Sequence, residues 1–490
     1  MDKARKLSTS VLASPGLVST LLNMAIGIVC AIICASTTVR EGLELLFVLP
    51  MAFVITRGMF SRAYSYWKDN VALAIIFASI YVRYLATPVL MTLSHSSLST
   101  VYPSVSSYRM ALLIQVFELF ATIMVIDLVW TRHLKKKAQT LQPVNIQKET
   151  AADFRLSLFG FLFVAALIML VVARGHLSNV FSHYSTWWHI SQETSDLMSY
   201  DLMAFDVAKS VIAIAIISVL ARAYHKSGSK FMRGLIFFLA FALGLGITMF
   251  YQYTQRTALA QLIISVMFML IAFFPQKKKA MLLVFGVGGT AFVLYTFATG
   301  SMQYEIGGSN DNMLEKMARM GELYVSGPSM VAITQENYGW VRENMTISTY
   351  FSDIIHTTHI FGLFPFLRGI NDLVAGIPTS NELFVQSLGG LTYILPNYSF
   401  WTYWATSVFG WIMEIFSIAV TVKLICVVDD KKMKWNDACY IYALAYVETL
   451  LGQAIFVNNS FLLWHAFTNM PFWLLVFCYI NRLGNRVKIK

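Results

Sequence analysis

Charged side chains are scarce in this 490-residue sequence. They make up 13% of the residues, whereas about 25% is usual in a soluble domain. Hydrophobic residues account for 57% and aromatic residues for 14%, so too little polar surface remains to cover a globule in water. An ordinary soluble enzyme and a disordered chain are both excluded. Lipid must cover much of the folded surface, which predicts an integral membrane protein.

Cysteine is also rare, and the five cysteines show no spacing typical of metal ligands. All of them lie in or beside apolar runs. The sequence therefore predicts neither a disulfide framework nor a zinc site, and we expect no metal and no other cofactor. These cysteines are Cys30, Cys34, Cys426, Cys439 and Cys478.

Twelve apolar runs have the length that a membrane-crossing helix needs, which is roughly 20 residues. The second run is short, and the sixth carries Asp206 and Lys209 near its outer end. The predicted fold is all-α, a polytopic membrane protein with about 12 transmembrane helices. The runs are 17–38, 43–58, 70–93, 108–131, 155–174, 203–224, 232–252, 257–274, 279–298, 403–428, 437–457 and 462–481.

The positive charges give an independent check on this count. With the amino terminus inside, most of the 37 Lys and Arg residues fall in cytoplasmic segments or at their edges. Both termini are therefore predicted to be cytoplasmic, with the basic, apolar amino terminus forming an uncleaved first helix. The net charge of +11 follows from this topology, so no nucleic-acid partner is predicted.

One outer loop is far longer than the others, and a loop of this length usually has its own structure or a function. The sequence divides into helices one to nine in 1–298, the large loop in 299–402, and helices ten to twelve with the carboxy terminus in 403–490. Met313, Met317, Met320 and Tyr324 recur in the loop at helical spacing. We expect several amphipathic helices that lie at, or dip into, the outer interface.

Two other outer segments carry candidate binding residues. Trp187 and Trp188 form a pair suited to stacking on the apolar face of a sugar ring, although anchoring at the membrane interface is the commoner role of such a pair. Arg256 lies in a tight outer turn at the start of the eighth run. It is placed either to bind an anionic ligand or to reach lipid phosphates.

Three stretches resemble elements of a known family. They are the turn Thr254-Gln255-Arg256-Thr257-Ala258-Leu259, the loop element Glu322-Leu323-Tyr324-Val325-Ser326-Gly327-Pro328, and the return into the membrane from Phe400 to Gly410 and Trp411. With the dozen spans and the single large outer loop, the whole chain resembles the Wzy-type oligosaccharide repeat-unit polymerases, the polymerase family of O-antigen and capsular polysaccharide.

The resemblance implies a GT-C-like membrane glycosyltransferase in the bacterial cytoplasmic membrane. Its reaction polymerises polyprenyl-diphosphate-linked oligosaccharide repeat units into a surface polysaccharide on the outer face of that membrane. The implied partners are this lipid-linked oligosaccharide, membrane lipid and other membrane proteins of polysaccharide assembly.

This reaction requires cations for the diphosphate and a base for the acceptor hydroxyl. Asp353, His356 and His359 would share one helical face and are the candidate catalytic residues, although a wet helix face without chemistry, or a weak metal site, is the alternative. Candidate diphosphate ligands are Arg256, Arg319, Arg342 and Arg368, and candidate substrate-binding residues are Tyr324, Ser326, Trp187 and Trp188. Alternative bases are Asp311, Asp372, Glu305, Glu315, Glu322, Glu336 and Glu343.

Two other functions share this topology. A transporter, including a lipid-linked oligosaccharide flippase, uses charges within its spans, and Glu118 or Glu448 would then face a cavity. An O-antigen ligase uses the same carrier chemistry with a different acceptor. The long loop favours the polymerase over the flippase, because a flippase needs no structured outer loop of this length. The charges within or at the edges of spans are Arg83, Glu118, Asp127, Asp206, Lys209, Glu414 and Glu448.

Overall fold

The computed structural model describes residues 17–97, 103–140, 199–249, 256–298, 312–357, 374, 376–388, 408–434 and 438–456. Within these ranges every regular element is helical, which confirms the all-α prediction. The α-helices are α1 Leu17–Ser36, α2 Val48–Met59, α3 Val71–Tyr81, α4 Thr87–Ser94, α5 Val105–Thr140, α6 Ser199–Lys226, α7 Lys230–Met249, α8 Arg256–Phe273, α9 Lys278–Ala298, α10 Met313–Tyr324, α11 Pro328–Asn344, α12 Ile347–Thr357, α13 Ser380–Ser387, α14 Val408–Lys434 and α15 Ala438–Ala454. Short 3₁₀ turns occupy Ala63–Lys68 and Pro275–Lys277.

Four helical segments of the described chain are long and apolar enough to cross a membrane. They are Leu17–Ser36, Val71–Ser94, Val105–Gln139 and Gly410–Lys431, and the first is exposed along most of its length, as a lipid-facing helix is. Helices also occupy most of the other predicted runs, including the shorter apolar α2. The runs 155–174 and 462–481 lie outside the described residues, so the count of twelve spans stays a prediction.

The long helix α5 is central, since α2, α11 and α14 all pack against it. Phe117 of α5 stacks near Trp411 of α14 with ring centroids 4.2 Å apart, and further along His133 Nε2 lies 3.0 Å from Asp429 Oδ2. From the first contact to the second, the residue numbers rise on both helices, so α5 and α14 run parallel. Positive-charge counting predicts the same relative direction for the fourth and tenth spans.

Helices α3 and α15 approach each other closely because a glycine lies between them. A Cβ atom at Gly452 would lie 2.8 Å from the Ala72 carbonyl oxygen, so a larger residue would push the helices apart. At the start of α3, Asn70 Nδ2 donates to Glu448 Oε1 at 2.9 Å, which satisfies a fully buried carboxylate of α15. The close contact therefore combines apolar packing with a buried hydrogen bond.

The third apolar run is one continuous helical segment with a π turn at Val82–Ala86 between α3 and α4. Pro88 follows this turn and has no backbone N–H, so the regular bond to the residue four positions earlier is missing. The Thr87 N–H instead donates to the Val82 carbonyl, five residues back. The wider turn rotates the side chains of 82–86 relative to a regular helix and carries Arg83 into the bundle.

Candidate functional site

Two helices that the structure describes in the predicted outer loop, α10 and α11, enter the helix bundle as a hairpin. Helix α10 packs against α4, and α11 packs against α5. Gln115 Nε2 donates to the Ser326 carbonyl oxygen at 2.8 Å, and Gln115 lies about 15 Å along α5 from its first residue, Val105. We call α10, the turn 325–327 and α11 the re-entrant hairpin. These amphipathic helices thus dip deeply into the bundle instead of lying flat at its surface.

The hairpin begins and turns at residues suited to these positions. Asn312 and Glu315 form a capping box that starts α10. Ser326 then adopts a left-handed backbone with φ of 53°, and Gly327 precedes Pro328, the first residue of α11. A Cβ atom at Gly327 would lie 2.7 Å from the Cα atom of Glu322, so the turn can close this tightly only with glycine there.

Buried hydrogen bonds hold the turn in place. The Glu322 side chain is fully buried, and its Oε1 accepts from the Ser329 N–H at 2.9 Å, one of the N–H groups left open at the start of α11. Ser326 is also fully buried, and its Oγ donates to the Phe456 carbonyl oxygen at 2.8 Å. These bonds offset the cost of the left-handed residue and fix the turn against α5 and the end of α15.

A buried charge cluster lies in the same part of the bundle. Arg83 Nη2 and Glu118 Oε2 are 2.8 Å apart, and the two side chains are 0% and 1% exposed. Glu414 is buried beside them and interacts electrostatically with both, while its Oε1 has no hydrogen-bond partner among the described residues. We refer to Arg83, Glu118 and Glu414 as the charge cluster. Such groups are costly inside a membrane unless they pair with one another.

The charge cluster and the hairpin turn share their neighbours. The Phe456 ring lies 5.1 Å from the Arg83 guanidinium, and the Phe456 carbonyl accepts the Ser326 hydroxyl. Tyr84, next to Arg83 in the π turn, donates its hydroxyl to the Gln115 carbonyl oxygen at 2.8 Å. Gln115 in turn donates to Ser326. A chain of direct contacts therefore connects the outer loop with the charged centre of the bundle.

Further along α11 from the turn, a carboxylate holds the hairpin against the start of α5. Glu336 of α11 accepts from the Ser104 N–H at 3.1 Å, from the Ser104 hydroxyl at 2.6 Å and from the Ser107 hydroxyl. The hydrogen bonds from the hydroxyls of Ser104 and Ser107 lower the pKa of Glu336 below its ordinary value. The contacts at Gln115 and at Ser104 show that α11 runs antiparallel to α5.

The hairpin contains four of the residues predicted to act on substrate. Tyr324 is the last residue of α10 and Ser326 lies within the turn, and the burial of Ser326 agrees with the alternative that it shapes the turn. Arg319 of α10 donates through Nε to Ser96 Oγ at 3.3 Å, just beyond the last residue of α4. Arg342 is exposed in the last turn of α11.

The other predicted site residues have no described side-chain geometry. Arg256 is the first residue of α8, and Asp353 and His356 belong to α12, but their side chains lie outside the described part of the chain. The same holds for all atoms of His359, Arg368, Trp187 and Trp188. The proposed Asp-His-His face therefore stays a prediction.

Sequence reasoning did not predict that the residues that organise this region lie together. Gln115 and Glu336 are isolated polar residues whose partners lie far away in the chain. Arg83, Glu118 and Glu414 stand out as charges in apolar runs, and Pro88 shortly after Arg83 is the one local signal of an irregular helix. No local pattern indicates that these three charges meet.

The described residues offer no obvious metal centre. No three His, Cys, Asp or Glu side chains are grouped there in a way that would hold a metal ion. The cysteines whose side chains the structure describes, Cys30, Cys34 and Cys426, are free thiols.

The chain matches no family model, no curated protein and no solved structure with which it was compared.

Proposed function

We propose that this protein is a membrane glycosyltransferase that polymerises polyprenyl-diphosphate-linked oligosaccharide repeat units at the outer face of the bacterial cytoplasmic membrane. The observation that carries the proposal is the bond from Gln115 to Ser326, which builds the outer loop into the membrane bundle. Transfer between two lipid-linked substrates requires groups held rigidly at the membrane boundary. The proposal includes twelve spans arranged on a GT-C-like plan.

The position of Arg319 supports this proposal. Its guanidinium is held at the outer end of α4 by Ser96, where a lipid-linked diphosphate would emerge from the bilayer. A cation placed there stabilises the negative charge that builds on the leaving diphosphate. Arg342, Arg256 and Arg368 complete the proposed set of diphosphate ligands, and His356, His359 and Asp353 are the proposed acceptor-activating groups.

The buried charges favour an enzyme over a flippase. A transporter would line a midplane cavity with groups such as Glu118 or Glu448. In this structure Glu118 is paired with Arg83 and Glu448 accepts from Asn70, and all three charged side chains are fully covered by protein. This arrangement supports a structural core beneath an outer site.

The decisive experiment supplies the purified full-length protein with lipid-linked repeat units and no nucleotide sugar, and resolves the products by gel electrophoresis. A ladder of longer chains supports the polymerase. The variant Arg319→Gln should shorten or abolish the ladder, whereas Arg132→Gln, an exposed cation at the cytoplasmic end of α5, should leave it intact.

The competing functions give different products. A single transfer of glycan to a lipid acceptor core, without a ladder, would identify a ligase. Unchanged substrate that crosses the bilayer of reconstituted vesicles would identify a flippase. Either result would reject the polymerase.

A further inference from the structure

The charge cluster contains two carboxyl groups but a single guanidinium. Arg83 Nη2 lies 2.8 Å from Glu118 Oε2, and both side chains are almost completely buried, so this ion pair is neutral as a unit. Glu414 is only 8% exposed and makes no ion pair within the described part of the chain, and its Oε1 has no hydrogen-bond partner there. An ionised Glu414 would therefore add one unbalanced negative charge to the core of the bundle.

Arg83 is the cation with which Glu414 interacts in the described structure. The other electrostatic neighbours of Glu414 are Glu118 on α5 and Tyr84 in the π turn. On α14 itself the next basic residue is Lys423, about 14 Å further along the helix. Helix α15 also packs against α14, and its sequence contains no basic residue. The titratable side chains of α15 that the structure shows to be buried are Tyr442, Tyr446 and Glu448.

A second negative charge at this position would be unfavourable for two reasons. A buried carboxylate loses its hydration, and no hydrogen bond to Glu414 replaces it within the described residues. The charge would also repel Glu118, since Arg83 attracts both carboxylates but can balance only one of them. Buried carboxyl groups in this situation take up a proton and become neutral. A proton on Glu414 makes the whole cluster neutral and leaves the ion pair intact.

The surroundings offer acceptors for the O–H group of a protonated carboxyl. Gln115 and Thr122 lie on the same face of α5 as Glu118. Gln115 Oε1 and Thr122 Oγ1 are both buried, and neither has a hydrogen-bond partner among the described residues. Because α5 packs against α14, these oxygen atoms can accept from the carboxyl directly or through a buried water.

We propose that the charge cluster is a proton-binding site, in which the Glu414 carboxyl holds one proton in the folded protein at neutral pH. The bond that forms is an O–H bond on a carboxylate oxygen of Glu414, and the proton comes from solvent. The Arg83 guanidinium and the turn of the re-entrant hairpin both contact Phe456, so the proton lies close to the contacts that hold the outer loop. The inference does not depend on the proposed glycosyltransferase activity.

Infrared spectroscopy of the purified full-length protein in detergent detects this proton, because a protonated carboxyl has a C=O stretching band that is separate from the bands of carboxylates. At neutral pH exposed carboxyl groups are ionised and do not contribute to this band. We expect the wild type to show the band, and Glu414→Gln to lose the intensity of one carboxyl group per molecule. The matched control is Glu336→Gln, which removes an exposed carboxylate that accepts three hydrogen bonds and should leave the band unchanged.

The dependence of unfolding on pH gives a second readout. A glutamate in the unfolded chain is ionised at neutral pH, so the folded protein binds one proton more than the unfolded protein. The wild type should then become less stable as the pH rises. Relative to Glu414→Gln, its unfolding equilibrium constant should increase about tenfold per pH unit near neutral pH.

Four results would overturn the proposal. The first is a wild-type spectrum without the band of a protonated carboxyl, and the second is a band of equal intensity in the wild type and Glu414→Gln. The third is a ratio of the two unfolding constants that does not change with pH. The fourth is a Glu414→Gln protein that does not fold, because the amide matches the protonated carboxyl in size and charge.

Discussion

Replacing Arg83 by methionine removes the positive charge from the charge cluster while keeping a side chain of similar length. Arg83 and Glu118 are almost completely buried at a distance of 2.8 Å. Breaking a buried ion pair by removing one partner typically costs about 3–5 kcal/mol, because the other charge stays in a medium of low dielectric constant. We expect Arg83→Met to lower the free energy of unfolding by an amount in this range.

The ion pair also predicts an order among the variants. In Glu118→Gln the amide oxygen can still accept from the Arg83 guanidinium, so we expect a smaller cost of about 2 kcal/mol, typical of one weakened hydrogen bond to a charged group. The double variant Arg83→Met/Glu118→Leu has no ion pair to break and should be more stable than Arg83→Met alone.

Unfolding in mixed micelles with increasing dodecyl sulfate, followed by far-ultraviolet circular dichroism, measures these free energies. The exposed cation Arg132 provides the control variant Arg132→Gln, which we expect to match the wild type. A cost for Arg83→Met below about 1 kcal/mol, the value of an exposed ion pair, would refute a buried and desolvated cluster.

Three further predictions use the same unfolding assay or its dependence on pH. Gly327→Ala should cost about 1–3 kcal/mol because its Cβ would lie 2.7 Å from the Glu322 Cα. Gly339 lies within α11, which follows this turn, and a Cβ there would have nothing within 4 Å, so Gly339→Ala should be neutral or stabilising. Equal effects of the two substitutions would contradict the tight turn. Gly452→Ala should destabilise the packing of α3 against α15, since its Cβ would lie 2.8 Å from the Ala72 carbonyl oxygen. An unfolding midpoint equal to that of the wild type would contradict this close contact between the helices. Glu336 has a lowered pKa in the folded protein. Its contribution to the free energy of unfolding is therefore complete above pH 4.5, the ordinary pKa of the group, and is lost as the pH falls through the folded-state pKa. Glu336→Gln should therefore unfold earlier than the wild type at neutral pH and converge with it in acid, and a difference that does not change with pH would exclude this role.

The depth of the outer loop is the clearest case in which local sequence was insufficient. Met313, Met317 and Met320 predict an amphipathic helix, and α10 is there. The same periodicity is expected for a helix that lies on a membrane surface and for one that packs against α4, because the pattern indicates only that one face is apolar. The bonds from Gln115 to Ser326 and from Ser104 to Glu336 decide between these arrangements, and both join distant parts of the chain.

The sequence by itself determined the helical fold class and the membrane environment, because hydropathy and the spacing of apolar residues are local properties. It also indicated that Arg83 and Glu118 are unusual, since a charge in an apolar run is costly wherever the run is placed. Only the tertiary structure decided that these two residues pair, that Glu414 joins them and that the outer loop reaches the same neighbours. Such long-range contacts depend on how the packed helices are rotated and how far each extends into the bundle, and a π turn or a single close-packed glycine can change both.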